Sequence, residues 1–581
     1  MQEQLGIANN LWVFREGKTT VDASELRQNL DVACASLLNG SVSFETVIDA
    51  LLRAGEFESA LGDAAPSHSA PAESLTNVLA RALWEEDRNI LKSLPTLLGE
   101  LRLLSLPEQV SISPPEGFAY YALHPLDFAA LASNVAESCE SAAIIGIRSI
   151  GTTLSAIVLG AMRHRGRPSD RITVRPTGHP YDRVTRLTRE QSHWIDERYQ
   201  KGYTFLIVDE GPGRSGSSFL SVAEALQQAG VPEDRITLLG SRPINPDELC
   251  AKNAATRWRR FHFLWAQPAR YGRFNDDIYI GGGHWREALL GSSVGEWPSC
   301  WPQMERFKFL SRDRKWIYKF EGFGRFGKCV LDRAQLIADA GFGPSAESAG
   351  DGMIRTPLIA GEVLTPASAS RDVLVRVAEY CAFRAREFSI GANRGPSQLP
   401  EMVRFNVQQV FGIDLDLDLS PLSVTEVLAD GRMQSHEWAI GPDHKLLKFD
   451  SCTHGDDHFF PGPTDIAWDL AGATIEWNLK QEDTDFLLSK YYHFTRDNAT
   501  HRLRLFLLAY SIFRMSYCNM ALSSVTGTPD FSRLRCAAEQ YRLTAEHQLR
   551  RLKQLPDSES HRLQTKSVSL PYLSPEAGSA A

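Results

Sequence analysis

A chain of 581 residues is too long for one hydrophobic core, so two to four domains are expected. Its 43% hydrophobic and 23% charged residues suit a globular chain, while a net charge of −9 without a long basic run argues against a nucleic-acid binder. No apolar run reaches the roughly 18 residues of a membrane span, MQEQLGIANN is no leader peptide, and the nine cysteines form no CxxC pair. A cytoplasmic protein with reduced thiols is expected.

Residues 1–112 read as a helical N-terminal segment. Leu26, Leu30, Ala33, Leu37 and Leu38 form one apolar stripe; Val47, Ile48, Leu51 and Leu52 form a second, closed by Gly55. A Pro/Ser/Ala linker is expected at Ala64 to Ala72, then a helix from Leu75 to Leu83.

Residues 113–270 alternate strands and helices, the pattern of a parallel α/β sheet. Strands are predicted at Phe118–Leu123, Ala142–Ile147, Ile172–Val174, Phe205–Val208, Ile236–Leu239 and Phe261–Leu264. The stretch FLIVDEGPGRSGSSF organises this half. Four apolar residues end in Asp209 and Glu210, and a small-residue loop from Gly211 to Ser218 leads into a helix bearing Phe219, Val222, Ala223 and Leu226. Glycine amides, serine hydroxyls and a helix N-terminus together suit an anion, and the acids suit a sugar diol or a magnesium ion.

This stretch resembles the signature of type I phosphoribosyltransferases, with a spacer of four residues, Gly211 to Arg214, where three are usual. The resemblance implies that Asp209 and Glu210 hold the ribose hydroxyls of phosphoribosyl pyrophosphate (PRPP). It implies a 5′-phosphate cradle of Gly213, Arg214, Ser215, Gly216, Ser217 and Ser218. It also implies a pyrophosphate loop of Arg148, Gly151, Thr152 and Thr153, and a flexible basic segment carrying Arg175, His179, Arg183 and Arg186.

Residues 271–304, with Gly281 to Gly283 and Trp285, Trp297 and Trp301, read as a connector. From 305 to 556 the pattern changes. ERFKFLSRDRKWIYKF predicts a hairpin with Lys319 near its end; Gly322, Gly324 and Gly327 follow, then a helix from Leu331 to Ala340 carrying Asp332. Farther on come VLADGRMQSHEW with Asp430, His436 and Glu437, a strand ending in Asp450, the cluster THGDDHFF, and TDIAWDLAG with Asp465 and Asp469. The order resembles protein-kinase-like phosphotransferases of the aminoglycoside and choline kinase type. It implies Lys319 on ATP phosphates paired with Asp332, Asp430 as catalytic base, and Asp450 and His436 as metal ligands. The histidine before the base and the asparagine after it are replaced by Ala429 and by His436 or Glu437. Helices are expected from 480 to about 555 and a disordered tail over 557–581.

The predicted fold is thus a phosphoribosyltransferase-like (Rossmann-like) parallel-sheet domain plus an α+β bilobal kinase-like domain, behind a helical N-terminal segment. The expected function is bifunctional, using Mg2+, with PRPP and ATP as substrates: phosphoribosyl transfer to an acceptor, and phosphate transfer to a small hydroxylated molecule. Small molecules are the expected partners, without nucleic acid or membrane, and an oligomer is compatible with the pattern. The alternative is a regulator that binds both ligands without turnover, which the extra loop residue and the missing asparagine favour.

Overall fold

A computed structural model describes residues 11–15, 17–40, 42–85, 88–291, 297–390, 396–441, 443–456 and 458–554. The expected tail over 557–581 and Asp457 of the THGDDHFF cluster lie outside the described residues.

The chain begins with β1 (Thr19–Asp22), α1 (Ala23–Asn39), α2 (Phe44–Ala64), α3 (Ala70–Glu85), α4 (Leu94–Leu103) and β2 (Gln109–Ile112), and β1 and β2 pair antiparallel. The predicted stripes are the buried faces of α1 and α2. Gly55 does not close α2: the helix runs nine residues past it, and only Ala65 to Ser69 of the expected linker lies between helices. A capping box between Ser43 and Thr46 starts α2, and Ala72, Leu75 and Leu79 hold α3 in the core despite Pro71 in its first turn.

Next come α5 (Glu116–Ala119), α6 (Pro125–Ser138), β3 (Ala142–Ile147), α7 (Ile150–His164), β4 (Ser169–Val174), β5 (Thr177–His179), β6 (Asp182–Val184), α8 (Arg189–Gln200), β7 (Thr204–Val208), α9 (Ser217–Gln228), β8 (Ile236–Gly240), α10 (Ala254–Trp258) and β9 (His262–Trp265). The strand expected at Phe118–Leu123 is instead α5 and a turn. Its amides bond to nearby carbonyls, Phe118 and Ala119 N–H to Pro115 O and Leu123 N–H to Gly117 O, which leaves no free edge for pairing.

Five strands form a parallel sheet in the order β4-β3-β7-β8-β9, with Ile145 level with Ile172 on one side and Ile207 on the other. Strand residues alternate between two cores. Ile144 and Leu206 face the N-terminal helices, whereas Ile145 and Ile207 face Phe219 and Trp258. The chain leaves β3 toward β4 and returns on the other side at β7, so the sheet reverses direction there. Parallel sheets take ligands at the carboxyl ends of the strands flanking such a reversal.

The remaining strands and helices are β10 (Ile278–Tyr279), β11 (Lys308–Leu310), β12 (Trp316–Phe320), α11 (Arg325–Asp339), β13 (Glu347–Gly350), β14 (Met353–Pro357), β15 (Glu362–Val363), α12 (Arg371–Glu387), α13 (Leu399–Phe411), β16 (Val427–Leu428), β17 (Trp438–Ile440), β18 (Leu446–Lys448), β19 (Pro463–Thr464), α14 (Ala467–Glu476), α15 (Gln481–Thr495), α16 (Thr500–Leu522) and α17 (Pro529–Arg551). The predicted hairpin is present as β11 and β12, with Lys308 opposite Lys319. It lies in an antiparallel sheet ordered β10-β11-β12-β14-β13, so the expected connector supplies its edge strand. The predicted helix at Leu331 starts six residues earlier, at Arg325, because Gly322 and Gly324 turn the chain with φ of 119° and 55°.

One core joins the N-terminal helices, one face of the parallel sheet, Phe309, Phe320 and Met353 of the antiparallel sheet, and Phe323 in the turn after β12. Another fills the helical lobe from α12 to α17 and takes in Val13 and Trp301. Helix α16 is long and apolar enough to cross a membrane by length and composition, yet 83% of its apolar window is buried inside this lobe. All nine cysteines are free thiols.

Candidate functional site

The first candidate lies at the carboxyl ends of β3 and β7. A side chain on Gly151 would come within 2.6 Å of the Val208 carbonyl, so glycine lets the turn after β3 press against the end of β7. Asp209, directly after β7, accepts the Glu210 N–H on its own Oδ1 at 2.9 Å. Asp209 lines a cavity of about 310 Å3 together with Pro180, Tyr181, Arg183 and the loop from Pro212 to Phe219. Gly213, Arg214, Ser215, Gly216, Ser217 and Ser218 therefore share one concavity, as predicted, and the N–H groups of Gly213, Arg214, Ser215 and Ser218 have no acceptor among the described residues. Gly216, with φ of 66°, turns the loop into α9.

The hydroxyls depart from expectation. Ser215 and Ser217 both donate to the Pro180 carbonyl, at 2.8 and 2.6 Å, so the β5–β6 hairpin sits on the loop. Glu210 also departs: its Oε2 accepts the Gly117 N–H at 3.0 Å, which turns the carboxylate toward α5 rather than toward the loop cavity. Desolvation raises the Asp209 carboxyl to about 7, and desolvation with Glu116 and Asp209 nearby raises Glu210 to about 8.

The expected pyrophosphate loop is largely committed inward. Arg148 donates to the Gly62 carbonyl at 2.6 Å and to Asp63 at 2.7 Å. Thr152 Oγ1 lies 2.8 Å from Ser59 Oγ, and Thr153 packs against Gly55. Helix α2 fills the space that these three side chains were expected to present to a ligand. Thr153 does line a separate polar cavity of about 300 Å3 with Ser59, Asp63, Ser149 and Arg175.

The second candidate lies between the antiparallel sheet and the helical lobe. A cavity of about 420 Å3 is lined by Lys319 and Glu321 from one side and Lys448, Asp450 and His454 from the other. Lys319 and Glu321 stand two apart where β12 ends and both line the cavity, whereas Asp450, just beyond β18, reaches it from a bend with φ of 50°. Lys319 Nζ meets Asp450, sits 3.0 Å from Glu321 and donates to Thr453 Oγ1 at 3.2 Å. The predicted partner Asp332 is elsewhere: it pairs with Lys328 on the exposed face of α11, because one turn of helix separates the two. Burial favours neutral forms, yet Lys319 and His454 beside Asp450 hold its carboxyl well below the usual carboxylate range. The ammonium of Lys319 is correspondingly raised, against its own burial, by Asp450 and Glu321.

Asp430 is fully buried and lies outside the cavity lining. Tyr380 Oη donates to its Oδ2 at 2.5 Å, and Lys448 Nζ stands 3.4 Å from its Oδ1. Its backbone is fixed by Asp469, whose two oxygens accept the N–H groups of Asp430 and Gly431 at 2.8 and 3.1 Å. Burial and the nearby Asp430 raise the Asp469 carboxyl to about 6. The sequence-predicted base is thus present but closed off from the cavity. His436, expected as a metal ligand, stacks on Trp285 of the connector with ring centres 5.7 Å apart. Burial and the cations Lys448, Arg514 and Arg432 push it down to about 3, so it stands as a neutral imidazole. Glu321, Lys448 and Trp285 were not singled out for this cleft, and His454 only as part of the THGDDHFF cluster; for Glu321 the period of two along β12 was the available signal.

The cavity has the donors that magnesium prefers. Asp450 is anionic, and Glu321 Oε2 is a buried carboxylate oxygen without a partner among the described residues.

No protein-family model matches the chain, and no curated protein does. Partial likenesses to solved structures exist. A choline/ethanolamine kinase family protein from Mesorhizobium loti is 13% identical, over 42% of this chain and 85% of its own, with a TM-score of 0.30. A choline kinase from Streptococcus pneumoniae is 13% identical, over 41% and 89%, with a TM-score of 0.28. An ethanolamine kinase from Plasmodium vivax is 9% identical, over 57% and 95%, with a TM-score of 0.30.

Proposed function

We propose that the cleft between the antiparallel sheet and the helical lobe binds ATP and transfers its terminal phosphate to a small hydroxylated molecule. The observation that carries this reading is the meeting of Lys319 and Asp450, from opposite walls, on a cavity of about 420 Å3. Lysine pairs with phosphate oxygens, and magnesium, held by Asp450 and Glu321, would supply charge neutralisation on the phosphates. To test it, the purified chain is incubated with labelled ATP, magnesium and a panel of small alcohols. Transfer to at least one acceptor is expected. Asp450→Asn should weaken magnesium-dependent nucleotide binding by more than the roughly 10–100-fold typical of losing a residue behind a metal ligand. Wild-type protein that fails to bind ATP would retire the reading.

We propose separately, on the geometry alone, that the carboxyl edge of the parallel sheet is a site for a phosphorylated ribose such as PRPP. Support comes from the free loop amides, Asp209 on their cavity, and the sheet reversal between β3 and β7. Calorimetry with PRPP and with ribose 5-phosphate, on wild-type and Asp209→Asn protein, tests it; no heat with either ligand would exclude it.

A second reading, a ligand-sensing protein without turnover, is favoured by the enclosure of Asp430 between Tyr380 and Lys448. Under that reading ATP binds, and no acceptor is ever phosphorylated.

A further inference from the structure

Asp430, Glu437 and His454 offer three ligand atoms within 4.8 Å of one another at the base of the cleft, a spacing that suits a divalent cation. Two of the three, Asp430 and Glu437, already share a cation. Lys448, at the end of β18 and fully buried, puts its Nζ 2.8 Å from Glu437 Oε2 and 3.4 Å from Asp430 Oδ1. It also donates to the Phe449 carbonyl at 2.8 Å, so each of its three N–H bonds has an oxygen in reach. The far side of Asp430 is held by the Tyr380 hydroxyl, which keeps the carboxylate turned toward Lys448.

We infer that Lys448 is the resident cation between Asp430 and Glu437: a positioning residue that holds them as a metal would and reserves the cleft for a single divalent ion between Asp450 and Glu321. The single-ion count rests on the nucleotide-binding reading above; the role of Lys448 does not. Lys448 is anchored by a backbone carbonyl and two carboxylates, whereas Asp450, on the same wall, meets Lys319 and His454 instead. A fixed ammonium, unlike a bound metal, stays when the protein is stripped by a chelator.

The test is a Mn2+ titration of the full chain followed by electron paramagnetic resonance, without nucleotide and with a non-hydrolysable ATP analogue. Lys448→Met should bind one more Mn2+ per chain than wild type, and Lys448→Met combined with Glu437→Gln should return to the wild-type count. Glu437→Gln alone should leave the count unchanged, which keeps the inference testable if Lys448→Met does not fold by circular dichroism. It is overturned if Glu437→Gln removes a Mn2+ that wild type holds, or if folded Lys448→Met gains none. Failure of the nucleotide reading is separate: the analogue then leaves Mn2+ binding unaltered in every variant, while the extra ion of Lys448→Met is still seen.

Discussion

Gly55 sits in mid-helix because Thr153 leaves no room for a side chain there. A Cβ at this position would come within 2.1 Å of Thr153 Oγ1. Gly55→Ala should therefore lower stability by about 1–3 kcal/mol, despite alanine's better helix propensity, and chemical denaturation measures it. The acids after β7 make a pH prediction. Asp209 and Glu210 are raised in the folded state to about 7 and about 8. A carboxyl raised on folding binds more protons folded than unfolded, so its contribution is full below the unfolded value and lost as pH rises through the folded one. Melting temperature should thus fall between about pH 4 and 8 on this account. The double variant Asp209→Asn with Glu210→Gln should flatten that slope; an unchanged slope would mean that other groups set it. Asp469 supplies a third test at this scale. Asp469→Asn removes a charged acceptor from two buried amides and should cost about 1.5–3 kcal/mol, read by urea unfolding.

The connector is where an element does more than its sequence suggests. It adds β10 to the antiparallel sheet, stacks Trp285 on His436, and ties Arg286 to Asp530 at the start of α17 with contacts of 2.6 and 2.9 Å. Arg286→Met should destabilise the chain, by less than the roughly 3–5 kcal/mol of a broken buried pair, because Arg533 still holds Asp530 at 3.0 Å. A shift in tryptophan fluorescence at the onset of melting would report it. The strands β3, β7, β8, β11 and β12 were legible because apolar runs or alternation at a period of two survive in a short sequence window. So were the loop from Gly213 to Ser218 and the positions of Lys319 and Asp450 near strand ends, though not their meeting. What was not legible is long-range. Nothing near Arg148 announces Asp63, nothing near Glu210 announces Gly117, and nothing near Asp430 announces Tyr380, 50 residues away. Lys319 and Asp332 looked like partners because they are close in sequence, whereas Asp450, 131 residues on, is the one that meets the lysine.

At the scale of the whole chain, the N-terminal helices, the parallel sheet and the antiparallel sheet have one core in common. Phe320 and Phe323, beyond the sheet, lie in the same cluster as Leu206 and as Leu51 of α2. Calorimetry should therefore show these parts unfolding in one transition, and residues 113–270 expressed alone should expose the apolar side of β3 and β7 and aggregate. A soluble, cooperatively melting fragment would contradict this. The same cluster also decides which part of the molecule is the stator. One wall of the cleft between Lys319 and Asp450 is welded, through Phe320, to the sheet that carries Asp209, so any opening of that cleft has to swing the C-terminal helices outward while the loop cavity beside Asp209 stays still.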